Sequence, residues 1–108
     1  MTGDAASILI VEDEPPIRRL LRTTLVAHDY RVHEAATGAE ALSALRHHRP
    51  DLVLLDLGLP DVDGLALIGR IRELGPFPIV VLSSRGDEGA KVTALDTGAD
   101  DYVTKPFG

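Results

Sequence analysis

Hydrophobic positions along the chain alternate between two rhythms. Short stretches of strand-like length come at Ser7-Ile-Leu-Ile-Val11, Arg31-Val-His-Glu-Ala35, Leu52-Val-Leu-Leu55, Ile79-Val-Val-Leu82 and Asp101-Tyr-Val-Thr104. Between them the apolar residues switch to a helical period. Ile17, Leu20, Leu21, Thr24 and Leu25 share one face, with Arg18, Arg19 and Arg22 largely off it, and His28-Asp29 closes the segment. Ala41, Leu42, Ala44 and Leu45 form a second helix up to Pro50, and Leu65, Leu67, Ile68, Ile71 and Leu74 a third up to Gly75-Pro76. A weaker helix is predicted from Asp87 to Thr97, ended by Gly98 in a left-handed conformation. Pro15-Pro16 suits a helix start, and Thr37-Gly-Ala-Glu40 has capping-box spacing. The all-apolar run Leu52–Leu55, bounded by Asp51 and Asp56, predicts a strand buried on both faces.

Strands alternating with helices over short connections predict an α/β doubly wound parallel sheet with right-handed crossovers. Five strands carry four helices, so a fifth helix is expected to follow Gly108. At 108 residues the chain makes one domain, with an expected radius of gyration of roughly 13 Å. The absence of Cys excludes disulfide scaffolds, zinc ribbons, thiol catalysis and iron–sulfur chemistry, and suits a reducing, cytoplasmic address. Apolar runs such as Ile8–Val11 are too short to span a membrane. A net charge of −6 argues against direct contact with a nucleic-acid backbone, so any DNA binding is expected from a domain outside this chain.

In open α/β sheets, ligands bind beyond the carboxyl ends of the strands. Here those ends bring Glu12 and Asp13, Asp56, Ser83, and Thr104 with Lys105 to one edge, followed after Asp56 by a loop marked by Gly58, Pro60, Asp61, Asp63 and Gly64. Clustered carboxylates repel by about 4 kcal/mol per close pair at an effective dielectric near 20, which a hard divalent cation such as Mg²⁺ relieves. A carboxylate beside a cation, a lysine and a hydroxyl is equipment for an aspartyl-phosphate, which makes phosphoryl transfer onto Asp56 the leading chemistry.

The segments Ile-Val-Glu12-Asp13-Glu, Leu-Leu-Asp56-Leu-Gly-Leu-Pro60-Asp-Val-Asp-Gly64, Val-Leu-Ser83-Ser-Arg and Gly98-Ala-Asp-Asp-Tyr102-Val-Thr-Lys105-Pro106-Phe resemble, in order and spacing, the receiver domain of two-component response regulators. The likeness covers nearly the whole chain and is greatest to the winged-helix transcription-factor branch, especially regulators of high-affinity potassium uptake. It implies a flavodoxin-like five-stranded parallel sheet of order 2-1-3-4-5. It also implies that residues 1–108 are a receiver that stops before its fifth helix and its effector domain. Asp56 then matches the phosphoacceptor. Asp13, Asp56 and the backbone carbonyl of Gly58 match direct Mg²⁺ ligands, and Glu12 a ligand acting through water. Ser83 and Lys105 match the groups that meet the phosphoryl oxygens, and Tyr102 with Ser83 the switch pair. Gly58 and Arg85 match positions flanking the attacking water, and the Lys105–Pro106 bond is expected to be cis.

The implied partners are a sensor histidine kinase and, in the full-length protein, a second copy joined through the fourth helix, fifth strand and fifth helix. DNA is implied only through the effector domain, and no membrane contact. The domain would assist its own phosphorylation and slow dephosphorylation without being an enzyme.

Other readings of the same residues stand beside these. Glu12-Asp13-Glu14 also suits a helix N-terminal charge run, Ser83 a cap, Lys105 a surface lysine and Tyr102 simple packing. His28, His33, His47 and His48 show no metal spacing and read as solvated. A dehalogenase-type phosphatase resembles Asp-x-Asp, but Gly58 stands at the second position; an FMN carrier would need a phosphate loop where Glu12-Asp13-Glu14 stands; no P-loop is present. A receiver-like contact module that signals without phosphorylation remains the alternative.

Overall fold

The computed structural model describes residues 5–84 and 88–105. Along these the chain runs β1 (Ser7–Val11), α1 (Pro15–Ala27), β2 (Arg31–Ala35), α2 (Gly38–His47), β3 (Leu52–Asp56), α3 (Gly64–Leu74), β4 (Ile79–Ser83), α4 (Glu88–Thr97) and β5 (Asp101–Thr104). All strand pairs are parallel and the sheet order is β2-β1-β3-β4-β5. The radius of gyration is 13.1 Å. Asp87, the expected start of the fourth helix, lies outside the described residues.

Strand alternation divides the apolar residues between two faces. Leu9, Val11, Val53, Leu55, Ile79, Val81 and Tyr102 join the main core with Leu42 and Leu45 of α2, Leu67, Ile68 and Ile71 of α3, and Ala94 of α4. On the other face Ile8, Ile10 and Leu82 are buried, whereas Leu52, Leu54, Val80 and Val103 are half-buried. β3 is therefore enclosed fully on one face only, short of the two-sided burial that its composition predicts.

The helices end as their sequences direct. Two prolines open α1, and Asp29 ends its connection in the left-handed region at φ +69°. Thr37 accepts from the Glu40 N–H, as its spacing predicts, while the Glu40 carboxylate reaches Ala36 N–H, one residue before the cap. Asp63 caps α3 by accepting from Leu65 N–H, and that helix has Leu67, Ile68 and Ile71 wholly inaccessible. Truncating a side chain such as Ile71 to Ala costs roughly 2–5 kcal/mol. α4 ends at Gly98, whose φ of +132° lies outside the left-handed helical well but is still one that glycine favours. That turn is held by Arg72, whose Nε and Nη2 donate to the Gly98 carbonyl at 3.0 and 2.8 Å.

Candidate metal centre

Because every strand runs in the same direction, the sheet delivers its polar strand ends to one edge. Glu12 follows β1 directly, and its N–H donates to Ala35 O, which keeps it in line with the sheet. Only 1% of Glu12 is exposed, so its charge depends on close partners. Its carboxylate accepts from Lys105 Nζ at 2.9 Å and from Glu14 N–H at 3.1 Å. Asp56 closes β3, is buried, and accepts from the same ammonium at 3.2 Å. Asp13 is half-buried beside them, and oxygens of Glu12, Asp13 and Asp56 all lie within 4.8 Å of one another.

Burial pushes the Glu12 carboxyl above its usual range, and the nearby Asp56 charge adds to this. The Lys105 ammonium and the Glu14 N–H pull the other way without cancelling it. Burial also opposes the charged form of Lys105, but its bonds and attraction to Glu12 and Asp56 win, leaving its pKa raised. Fully ionised, three carboxylates against one ammonium leave two excess negative charges. An all-oxygen donor set with excess negative charge suits a hard divalent cation.

Two other residues named from the sequence, Ser83 and Gly58, adjoin this cluster. Ser83 ends β4, is buried, and its carbonyl accepts from Lys105 N–H at 2.7 Å, so β4 sets where the lysine leaves the sheet. Gly58 lies over Asp56: a Cβ there would stand 3.7 Å from Asp56 Oδ2, an ordinary contact. Tyr102 faces the core with 8% exposure, away from solvent. Arg85 and the Lys105–Pro106 bond lie outside the described residues.

Two supports of the site have no signature in the hydrophobic pattern. Arg18 donates to the Glu12 carbonyl at 2.8 Å and pairs with Glu34, which also takes Arg22 at 2.7 Å. Asp61 reaches back to α2, accepting from Gly38 and Ala39 N–H. Neither contact follows a helical or strand repeat, so periodicity carries no signal for them. His33 and His48, read as solvated, are stacked with ring centroids 4.2 Å apart.

Residues 8–108 match the model of the response regulator receiver domain family. The chain belongs to that family. Among receiver-containing relatives, it is 54% identical over 101 residues to the transcriptional regulatory protein KdpE of Mycobacterium tuberculosis, and 51% over 102 residues to the KDP operon transcriptional regulatory protein KdpE of Escherichia coli. Each alignment covers 94% of this chain and 45% of the relative, so the chain spans under half the length of these regulators. It is also similar to the crystal structure of a Burkholderia pseudomallei response regulator with a phosphorylated aspartic acid, a calcium ion and citrate. The TM-score is 0.90 at 29% identity, over 95% of this chain and 61% of that one. The two-component regulator reading and the sheet order expected from the motifs both hold, and the receiver cluster fits the divalent-metal chemistry of the family.

Proposed function

We propose that this receiver accepts a phosphoryl group on Asp56 from the phosphohistidine of a sensor histidine kinase and uses it to control a transcriptional output domain. The observation carrying this reading is that Asp56, buried at the end of a central strand, accepts from the Lys105 ammonium and has an oxygen within 4.8 Å of oxygens of two further carboxylates. A carboxylate oxygen of Asp56 attacks phosphorus, the P–O bond forms as the P–N bond breaks, and the histidine departs with the bonding pair. Lys105 then neutralises phosphoryl charge, and the Ser83 hydroxyl donates to a phosphoryl oxygen. Asp13, Asp56 and the Gly58 carbonyl would hold Mg²⁺ directly, with Glu12 acting through water. A bound Mg²⁺ supplies charge neutralisation on the transferring oxygens. The phosphorylated aspartic acid and calcium of the Burkholderia regulator support the same roles here.

The remaining proposals extend the likeness to receiver domains. The domain assists its own phosphorylation and slow dephosphorylation, Gly58 and Arg85 tune the lifetime, and Ser83 and Tyr102 relay the state by a two-state shift. In the whole protein, residues 1–108 form the receiver ahead of a fifth helix and an effector domain that contacts DNA, and activation pairs two copies. No helix among the described residues is long and apolar enough to cross a membrane. A cytoplasmic site of action suits a kinase-fed receiver.

Intact-mass analysis after incubation with acetyl phosphate and Mg²⁺ tests the reading. A gain of one phosphoryl group, absent in Asp56→Asn and absent without metal, is expected. No gain in the wild type would favour a contact module that signals without phosphorylation.

A further inference from the structure

The loop after Asp56 is braced at its base and at its apex by different devices. At the base, Gly64 N–H donates to Leu57 O at 3.2 Å, and a Cβ on Gly64 would stand 2.5 Å from Leu57 Cα, so the loop closes tightly on itself. At the apex, Asp61 leaves the loop altogether. Its Oδ1 accepts from Gly38 N–H at 2.8 Å and its Oδ2 from Ala39 N–H at 3.0 Å, across more than twenty residues of sequence. The close approach is confirmed by Val62, whose Cγ1 occupies the place where a Gly38 side chain would begin.

These bonds complete the first turn of α2 without duplicating its own cap. Thr37 serves the Glu40 N–H and Glu40 serves the Ala36 N–H, which leaves the two amides that Asp61 takes. Helix-start amides favour a carboxylate as partner, and the two backbone bonds hold Asp61 below the usual carboxylate range. From Asp61 only Pro60, with its fixed φ, and Leu59, half-buried against the core, separate the tether from Gly58.

We propose that Asp61 is a positioning residue for the metal centre: by tying the loop apex to the start of α2, it holds Gly58 in place beside Asp56. This rests on the reading of that cluster as a metal site. With the tether cut, the loop must be ordered at the moment the cation binds, which weakens binding without altering any ligand.

The experiment compares Mn²⁺ affinity by electron paramagnetic resonance in the wild type, Asp61→Asn, Asp61→Ala and Thr37→Ala, with amide hydrogen exchange on the metal-free proteins. Asp61→Ala is expected to bind Mn²⁺ about tenfold more weakly, Asp61→Asn to fall between because it keeps one acceptor oxygen, and exchange in residues 58–62 to accelerate. Thr37→Ala frays the same helix end but keeps the tether, and is expected to leave both readouts near wild type. Unchanged affinity in Asp61→Ala, or an equal loss in Thr37→Ala, would overturn the proposal. If the wild type takes no Mn²⁺, the metal reading itself fails and the positioning role falls with it, while accelerated exchange would still establish the tether.

Discussion

Lys105 and Glu12, separated by 93 positions in sequence, meet at 2.9 Å across the edge of the sheet, and the carboxylate has almost no contact with water. Glu12 sits at the end of β1 and Lys105 just beyond β5, so the pair fastens the centre of the sheet to its rim. Lys105→Met leaves a buried carboxylate without its ammonium and is expected to cost about 1–3 kcal/mol of metal-free stability at neutral pH. Urea unfolding checks this. Adding Glu12→Gln should recover part of the loss, and unchanged midpoints for Lys105→Met would show that the pair contributes nothing.

Asp13→Asn acts in the opposite direction. It removes a half-exposed carboxylate from a crowded negative cluster, so the metal-free variant is expected to gain on the order of 1 kcal/mol, discounted for solvent screening. For a domain of this size that raises the thermal midpoint by roughly 4–8 °C. Added Mg²⁺ should then raise the wild-type midpoint more than that of the variant, which scanning calorimetry measures.

Two glycines in the same loop separate backbone fit from chemistry. Gly64→Ala forces a methyl to within 2.5 Å of Leu57 Cα, a backbone atom that cannot swing aside. The expected cost is about 1–3 kcal/mol, with slower phosphorylation by acetyl phosphate because Leu57 adjoins Asp56. Gly58→Ala meets Asp56 Oδ2 at an ordinary 3.7 Å and is expected to fold with near wild-type stability. A Gly58→Ala midpoint as low as that of Gly64→Ala would sink this distinction.

The stacked histidines give stability a dependence on acid. Burial lowers the His33 pKa, and nearby His48 and Arg31 lower it further, so the fold favours the neutral ring. In the unfolded chain His33 takes its proton near the ordinary value of about 6.5. As pH falls below that value the unfolded state binds the proton first, and stability drops until the folded ring also titrates. Thermal midpoints between pH 5 and 8 should therefore fall on acidification more steeply in the wild type than in His33→Gln. Parallel curves would rule out His33 as the source.

Much of the architecture was legible because apolar runs and terminal carboxylates obey one rule. In an all-parallel sheet each strand end points the same way, so reading Glu12, Asp56, Ser83 and Lys105 as strand termini already places them together. The Thr37 cap was equally readable, being local in sequence. What stayed hidden depends on contacts with no repeat. Asp61 finds Gly38 and Ala39 only after β3 has crossed beside β1, and Arg18 finds the Glu12 carbonyl by the angle at which α1 leaves the sheet. The stack of His33 on His48 likewise joins an edge strand to a helix end through tertiary placement. Two-sided burial of Leu52–Leu55 was overestimated because composition reports how apolar a strand is, and Leu52 and Leu54 are only half covered.

The span between Glu12 and Lys105 also bears on how the protein is made. Synthesis from the N-terminus places Glu12, Asp13 and Asp56 in the nascent chain long before the lysine that joins them. Until β5 is in place, Glu12 and Asp56 lack the ammonium that bonds them both, and their repulsion is relieved by that contact only afterwards. The acidic edge of the receiver therefore gains its ammonium only when its fifth strand joins the sheet.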